Sequence, residues 1–110
     1  MKKIIAIDFD GVLFTEAYPA VGMPIAPNIN RAKNERENGA LLILWTCREG
    51  KELEDAVAAC KAVGLEFDAV NDNAPELKEA FGTNPRKVGA TEYWDDRAVC
   101  VNKICLNRED

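Results

Sequence analysis

The chain predicts an α/β fold, a mostly parallel sheet of about five strands with helices on both faces. Three observations carry this. Short continuous apolar runs, IIAI at residues 4–7 and ALLILW at 40–45, read as strands buried on both faces. Segments with helical spacing alternate with the runs, most clearly at 50–63. Polar residues able to do chemistry follow the ends of the runs, which is where an open α/β sheet binds ligands.

Residues 3–7 form the first strand, and it leads straight into Asp8 and Asp10. Residues 11–27 hold Gly11, Pro19, Gly22, Pro24 and Pro27, a density of breakers that means loop or short irregular turns. Phe14, Tyr18 and Met23 within it have two equal placements, as a flap beside the strand end or tucked onto the core. Residues 28–38 suit a helix capped by Asn28 and ended by Gly39. Its apolar stripe is only Ile29 and Ala32, so most of its surface is expected to be exposed. The strand at 40–45 follows, with Thr46, Cys47 and Arg48 just beyond it. In the helix at 50–63, Leu53, Ala56, Val57, Cys60 and Val63 share one face, and Gly64 is a natural stop. A short third strand runs from Phe67 to Val70. Asn73 is expected to cap a helix with Pro75 in its first turn, an inner face of Leu77, Ala80 and Phe81, and Gly82 at its end. A fourth strand lies around Thr91 to Trp94, then Asp95-Asp96, and residues 98–106 are apolar enough for a fifth.

A length of 110 residues predicts one domain. With 47% apolar and 30% charged residues the composition is that of a globular chain, not a disordered one. The net charge of −5 argues against non-specific binding to nucleic acid or anionic membranes, which needs a basic footprint. It leaves room for a small anionic substrate, because a bound cation can invert the local field. The chain has no His. That removes Ser-His-Asp and Cys-His catalysis and His-ligated zinc. Cys47, Cys60, Cys100 and Cys105 show neither a CxxC pair nor zinc spacing, and read as buried or incidental reduced thiols. The basic start MKK is followed by an apolar stretch far shorter than a signal-peptide core. No run approaches the length of a membrane span, so a cytoplasmic location is expected.

The strand-end residues carry the functional argument. Asp8 and Asp10 follow the first strand, Thr46 the second, and Asp95 and Asp96 the fourth, which Lys87 precedes. Two carboxylates beside a buried strand need relief from their repulsion, by a hard divalent cation, a proton, or both. Acids, one hydroxyl and one amine converging on one sheet edge, without His, make a kit for phosphoryl transfer with Mg²⁺. Carboxylates hold the metal, the hydroxyl and ammonium hold phosphate oxygens, and one carboxylate can act as nucleophile. Arg48 reads as a surface or helix-start residue. Lying two residues past Thr46, it is a candidate to reach the substrate's leaving group.

In this order, DxDG, Thr, Lys and DD, the chain resembles the haloacid dehalogenase-like phosphohydrolase superfamily, over residues 4–97. The resemblance implies a Rossmann-like domain with Asp8 as nucleophile and metal ligand. It makes Asp10 the general acid/base, with its backbone carbonyl on Mg²⁺. It assigns Thr46 and Lys87 to the phosphoryl group, Asp95 to the metal, and Asp96 to its support directly or through water. The intervals 14–40 and 72–86 are too short for the cap domain many relatives carry. Capless relatives leave the site open and act on large substrates or let a neighbouring subunit cover it, so a homo-oligomer is expected. The acidic net charge favours a small soluble phosphorylated substrate. Two other readings stay open. One is a phosphoacceptor receiver switch, although here Val70-Asn71-Asp72 stands where its acceptor would fall and DxD sits at strand one. The other is a non-catalytic binding protein on the same scaffold.

Overall fold

The computed structural model describes residues 2–99 and 101. The Ile-rich run forms β1 (Ile4–Ile7), and all four of its residues are buried. β-branched side chains suit such a strand, packed on both faces. β1 lies between two parallel neighbours: β2 (Leu41–Leu44) on one side and β4 (Glu92–Trp94) on the other. β3 (Ala69–Val70) adds in parallel beyond β2, giving a four-stranded sheet of order β3-β2-β1-β4.

Alternation along the strands feeds two cores. Ile5, Ile7, Leu42 and Leu44 point to one face, where Ile29 and Ala32 of α1 (Ala26–Glu37) and Ala56 and Cys60 of α2 (Gly50–Ala62) cover them. Ile4, Ala6, Leu41 and Ile43 point to the other, against Ala74, Val88 and Leu77 of α3 (Pro75–Phe81). The helices on both faces and the parallel strands therefore stand as the sequence predicts, in a Rossmann-like arrangement. The strand count is four, not about five. The run expected as a fifth strand falls largely on Cys100 and residues 102–106, outside the described residues, and Ala98, Val99 and Val101 lie in no strand. Among the described residues no helix is long and apolar enough to cross a membrane.

Several local expectations are corrected by tertiary contacts. α1 starts two residues early at Ala26, with Pro27 in its first turn. Asn28 is therefore inside the helix, and its amide donates to the Val12 carbonyl at 2.8 Å, tying α1 to the loop after β1. Asn73 is likewise no cap. It is 1% exposed and its amide donates to Asn84 Oδ1 and the Pro85 carbonyl, each at 2.8 Å, while its own Oδ1 accepts from Gly89 N at 2.6 Å. One buried side chain thus pins the whole turn between α3 and β4. α3 buries Leu77 but leaves Ala80 and Phe81 exposed, Phe81 at 65%. Gly82 ends the helix in the left-handed region, as the sequence suggests.

Asn73→Ala is expected to lower the unfolding free energy by about 3 kcal/mol, because it leaves the Gly89 N–H without its partner and frees the turn. Asn28→Ala, which removes one bond, should cost about 1 kcal/mol. Urea midpoints at unchanged slope measure both.

Candidate functional site

Strands β2 and β3 lie to one side of β1 and β4 to the other, and the covering helix changes face there. The carboxyl ends of β1 and β4 thus flank a topological switch point, where an open α/β sheet leaves a crevice. Asp8 leaves β1 at this point and donates its backbone N–H to the Trp94 carbonyl at 2.9 Å. Asp95 and Asp96 follow directly on Trp94, the last residue of β4. Carboxylate oxygens of Asp8, Asp95 and Asp96 lie within 4.8 Å of one another. Three hard oxygen donors this close can hold a hard divalent cation such as Mg²⁺ or Ca²⁺.

Gly11 makes this approach possible. Its φ is +86°, and a Cβ there would run into the Asp96 carboxylate. The Asp8 carboxylate is oriented by the Phe9 N–H, which donates to Oδ1 at 2.8 Å. Asp95 Oδ1 accepts from Arg97 N at 2.8 Å, closing the turn after β4. Burial, with added repulsion from Asp95, Asp96 and Asp10, pushes the Asp8 carboxyl up from 3.8 to about 6, although the Phe9 N–H opposes the rise. A cation among these oxygens would relieve that crowding.

The cleft in front of the cluster has a volume of about 540 Å³, and Asp8, Asp10, Thr46, Arg48 and Asp95 line it. The structure therefore brings five of the sequence-selected residues to one place, with Asp96 beside them. Thr46 sits just past β2, with its N–H on Asn71 Oδ1 at 2.8 Å and its hydroxyl accepting from Arg48 N at 3.2 Å. Lys87 is the exception. It is absent from the cleft lining, and its ammonium lies over the Tyr93 ring, 5.5 Å from the centroid.

Arg48 is neither a surface residue nor free to reach a leaving group as held. It is 1% exposed and donates two hydrogen bonds to Asp10, Nε to Oδ2 at 2.9 Å and Nη2 to Oδ1 at 2.8 Å. The carboxylate holds the guanidinium above its usual range. Glu16, Tyr18, Trp45, Cys47 and Arg97 complete the cleft. Sequence reasoning had not singled out Glu16, Trp45 or Arg97. Trp45 and Arg97 adjoin Thr46 and Asp96, and that adjacency was the available signal. Cys47 is exposed, whereas Cys60 is buried and its thiol is pushed up to about 12 by desolvation, as an inert core thiol requires.

The two placements offered for the flap residues divide. Phe14 is buried and stacks on Phe9 at 4.9 Å between ring centroids. Tyr18 and Met23 stay exposed, at 57% and 71%. Thr15 N donates to the Met23 carbonyl and Ile25 N to that of Leu13, each at 2.8 Å. These bonds close the base of a loop, residues 16–22, whose Glu16 and Tyr18 wall the cleft.

A Rossmann-like α/β protein with an acidic cluster at its switch point is thus the class defined by fold and site. No protein-family model matches the chain, and no curated protein matches it. A conserved protein from Bacteroides thetaiotaomicron of known structure is 39% identical, with a TM-score of 0.79 over 90% of this chain and 79% of that one. The chain belongs to the same family as that conserved protein.

The raised Asp8 carboxyl fixes the sign of a pH effect. Between the unfolded value of 3.8 and the folded value of about 6, the native state holds a proton the unfolded state has lost. Stability conferred below that window is lost as pH rises through it. In melts with chelator, the protein should therefore lose stability against Asp8→Asn between these values and run parallel to it above them. Mg²⁺ should raise Tm more at pH 7.5 than at pH 5, where the proton competes, and the rise should be absent in Asp8→Asn.

Proposed function

We propose that the protein is a Mg²⁺-dependent phosphohydrolase of the haloacid dehalogenase-like type, cleaving phosphomonoesters through an aspartyl-phosphate on Asp8. The observation that carries this is the clustering of Asp8, Asp95 and Asp96 oxygens within 4.8 Å at the end of adjacent parallel strands, with Asp8 and Asp95 lining the cleft that Thr46 also lines. Asp8, Asp95 and Asp96, with the Asp10 backbone carbonyl, are the residues that would hold Mg²⁺. The ion would neutralise the repulsion between these carboxylates and an incoming phosphate.

The remaining work falls to the chain's own groups. An Asp8 carboxylate oxygen attacks phosphorus as the bond to the leaving oxygen breaks. Asp10 first turns one oxygen from Arg48 and takes a proton on it from solvent. It gives that proton to the leaving oxygen, then takes one from the water that attacks the aspartyl-phosphate. The second step breaks the bond between phosphorus and Asp8 and releases inorganic phosphate. Asp8 must be ionised for the attack, and with its carboxyl near 6 it is ionised at neutral pH. The Phe9 N–H holds Oδ1, which fixes the carboxylate plane. Thr46 is placed to hydrogen-bond a phosphoryl oxygen, and Arg97 is a cation already on the cleft wall. Lys87 would join them by leaving the Tyr93 ring, a movement its flexible stem permits. The Asp72 carboxylate that follows β3 is engaged by Lys78 at 2.9 Å, which favours Asp8 over it as the phosphoryl acceptor.

Hydrolysis of p-nitrophenyl phosphate tests the proposal. Release should require Mg²⁺, stop with chelator, and fall by about a thousandfold or more in Asp8→Asn. Equal release by wild type and variant would refute Asp8 as nucleophile. With the same substrate, Arg97→Ala should raise KM by about tenfold, the loss of one charge-assisted hydrogen bond. Lys87→Ala measured alongside shows whether the ammonium moves in.

A further inference from the structure

We infer that Arg48 is a positioning residue that couples the 18–20 loop to Asp10, so that the cleft wall and the proton-transfer carboxylate are set by one side chain. This rests on the phosphohydrolase reading above.

A guanidinium has five N–H donors in a fixed fork, and here every one finds an acceptor. Nε and one Nη2 hydrogen go to the two Asp10 oxygens. The other Nη2 hydrogen goes to the Ala20 carbonyl at 2.7 Å. Nη1 donates to the Pro19 carbonyl at 3.2 Å and to the Glu52 carbonyl of α2 at 3.3 Å. The Phe9 and Tyr18 rings pack against the guanidinium, their centroids 4.9 and 5.2 Å from Cζ. The Arg48 backbone N–H adds a bond to the Thr46 hydroxyl. Four segments meet on one residue: the end of β1, the loop, the residues after β2, and the first turn of α2.

Three of the five bonds go to backbone carbonyls and hold the guanidinium whatever Asp10 does. Asp10 accepts through both oxygens, so to protonate a leaving group it turns one oxygen away and takes a proton on it while the other stays on a fixed donor. The aim of Asp10 then depends on where Pro19 and Ala20 hold Arg48. A lysine offers a point charge and three donors, and cannot make this two-oxygen bridge together with three carbonyl bonds.

Leaving-group dependence separates this role from simple support of the fold. Expelling an alkoxide needs a proton from Asp10, whereas expelling p-nitrophenolate hardly does. Turnover of ethyl phosphate and p-nitrophenyl phosphate is compared, with Mg²⁺, in wild type, Arg48→Lys, Asp10→Asn and the double variant. Arg48→Lys should lower kcat on ethyl phosphate about tenfold more than on p-nitrophenyl phosphate, with KM little changed. Asp10→Asn should show the same skew, and the double variant no more skew than Asp10→Asn. Equal loss on both esters, or no loss, overturns the inference and leaves the phosphohydrolase reading intact. Should Arg48→Lys fail to fold, Tyr18→Ala takes its place, since that ring is 57% exposed and releases one side of the guanidinium. It should give the same skew to a smaller degree, and its absence is equally fatal. Wild type that cleaves neither ester overturns both readings, and wild type that cleaves only the aryl ester overturns the coupling to Asp10.

Discussion

Repulsion among carboxylates at one corner of the sheet is the constraint on which the rest of this structure depends. Asp8, Asp95 and Asp96 present oxygens within 4.8 Å of one another, and Asp10 adds to the field on Asp8. Two like charges at about 4 Å repel by roughly 1 kcal/mol in water and about 4 kcal/mol in a protein-like medium. Asp8 cannot retreat from this. β1 is hydrogen-bonded on both edges, and a slip of one residue would exchange the Ile5 and Ile7 face with the Ile4 and Ala6 face. The acids are therefore held close by the core, and the polar end must supply what makes their proximity tolerable.

It does so in two unequal ways. Asp10 receives a built-in counter-charge, the buried Arg48 guanidinium. Asp8, Asp95 and Asp96 cluster together, and among the described residues no ion pair engages any of the three. Lys87 lies over Tyr93 and Arg31 over Trp94 at 4.6 Å, while Arg97 stands on the cleft wall. This partition gives the proposed chemistry its shape, because a carboxylate tied to Arg48 and one left among acids face different electrostatic tasks. It also explains the bare Cα at Gly11, since a side chain there would drive Asp96 out of the cluster.

What the sequence made legible was whatever local pattern decides. β1 and β2 follow from apolar runs that no helix would bury so evenly, and α2 from its periodic face. The acids at the ends of β1 and β4 follow from topology alone, once the strands are parallel. The misread residues are those whose partners lie far along the chain. Asn28 and Asn73 have the chemistry of helix caps, but the Val12 carbonyl and the 84–89 turn outbid the local backbone for their amides. Phe81 has the spacing of a core residue, yet α3 is only seven residues long and its last turn passes the edge of the core. Arg48 read as a surface residue because arginine is rarely buried. Nothing in its neighbourhood announced Asp10, 38 positions upstream, as its partner.

The loop between β1 and α1 shows how a short insertion can serve as a wall. Its base is fixed twice, by the paired backbone of residues 13–15 and 23–25 and by Phe14 stacked on Phe9. Gly22 lets the two arms close, because a Cβ there would strike the Thr15 carbonyl. Its tip is fixed once, through the Pro19 and Ala20 carbonyls on Arg48. A loop anchored at base and tip has little freedom to adapt to a ligand, so its shape selects rather than follows. The tip's anchor is also the counter-charge of Asp10. Any change in the loop that shifts those carbonyls moves the guanidinium, and with it the carboxylate that it grips. On the proposed reading the width of the cleft and the aim of Asp10 are therefore one variable, and substrate choice would be tuned through residues such as Glu16, which lines the cleft without bonding to Arg48's fork.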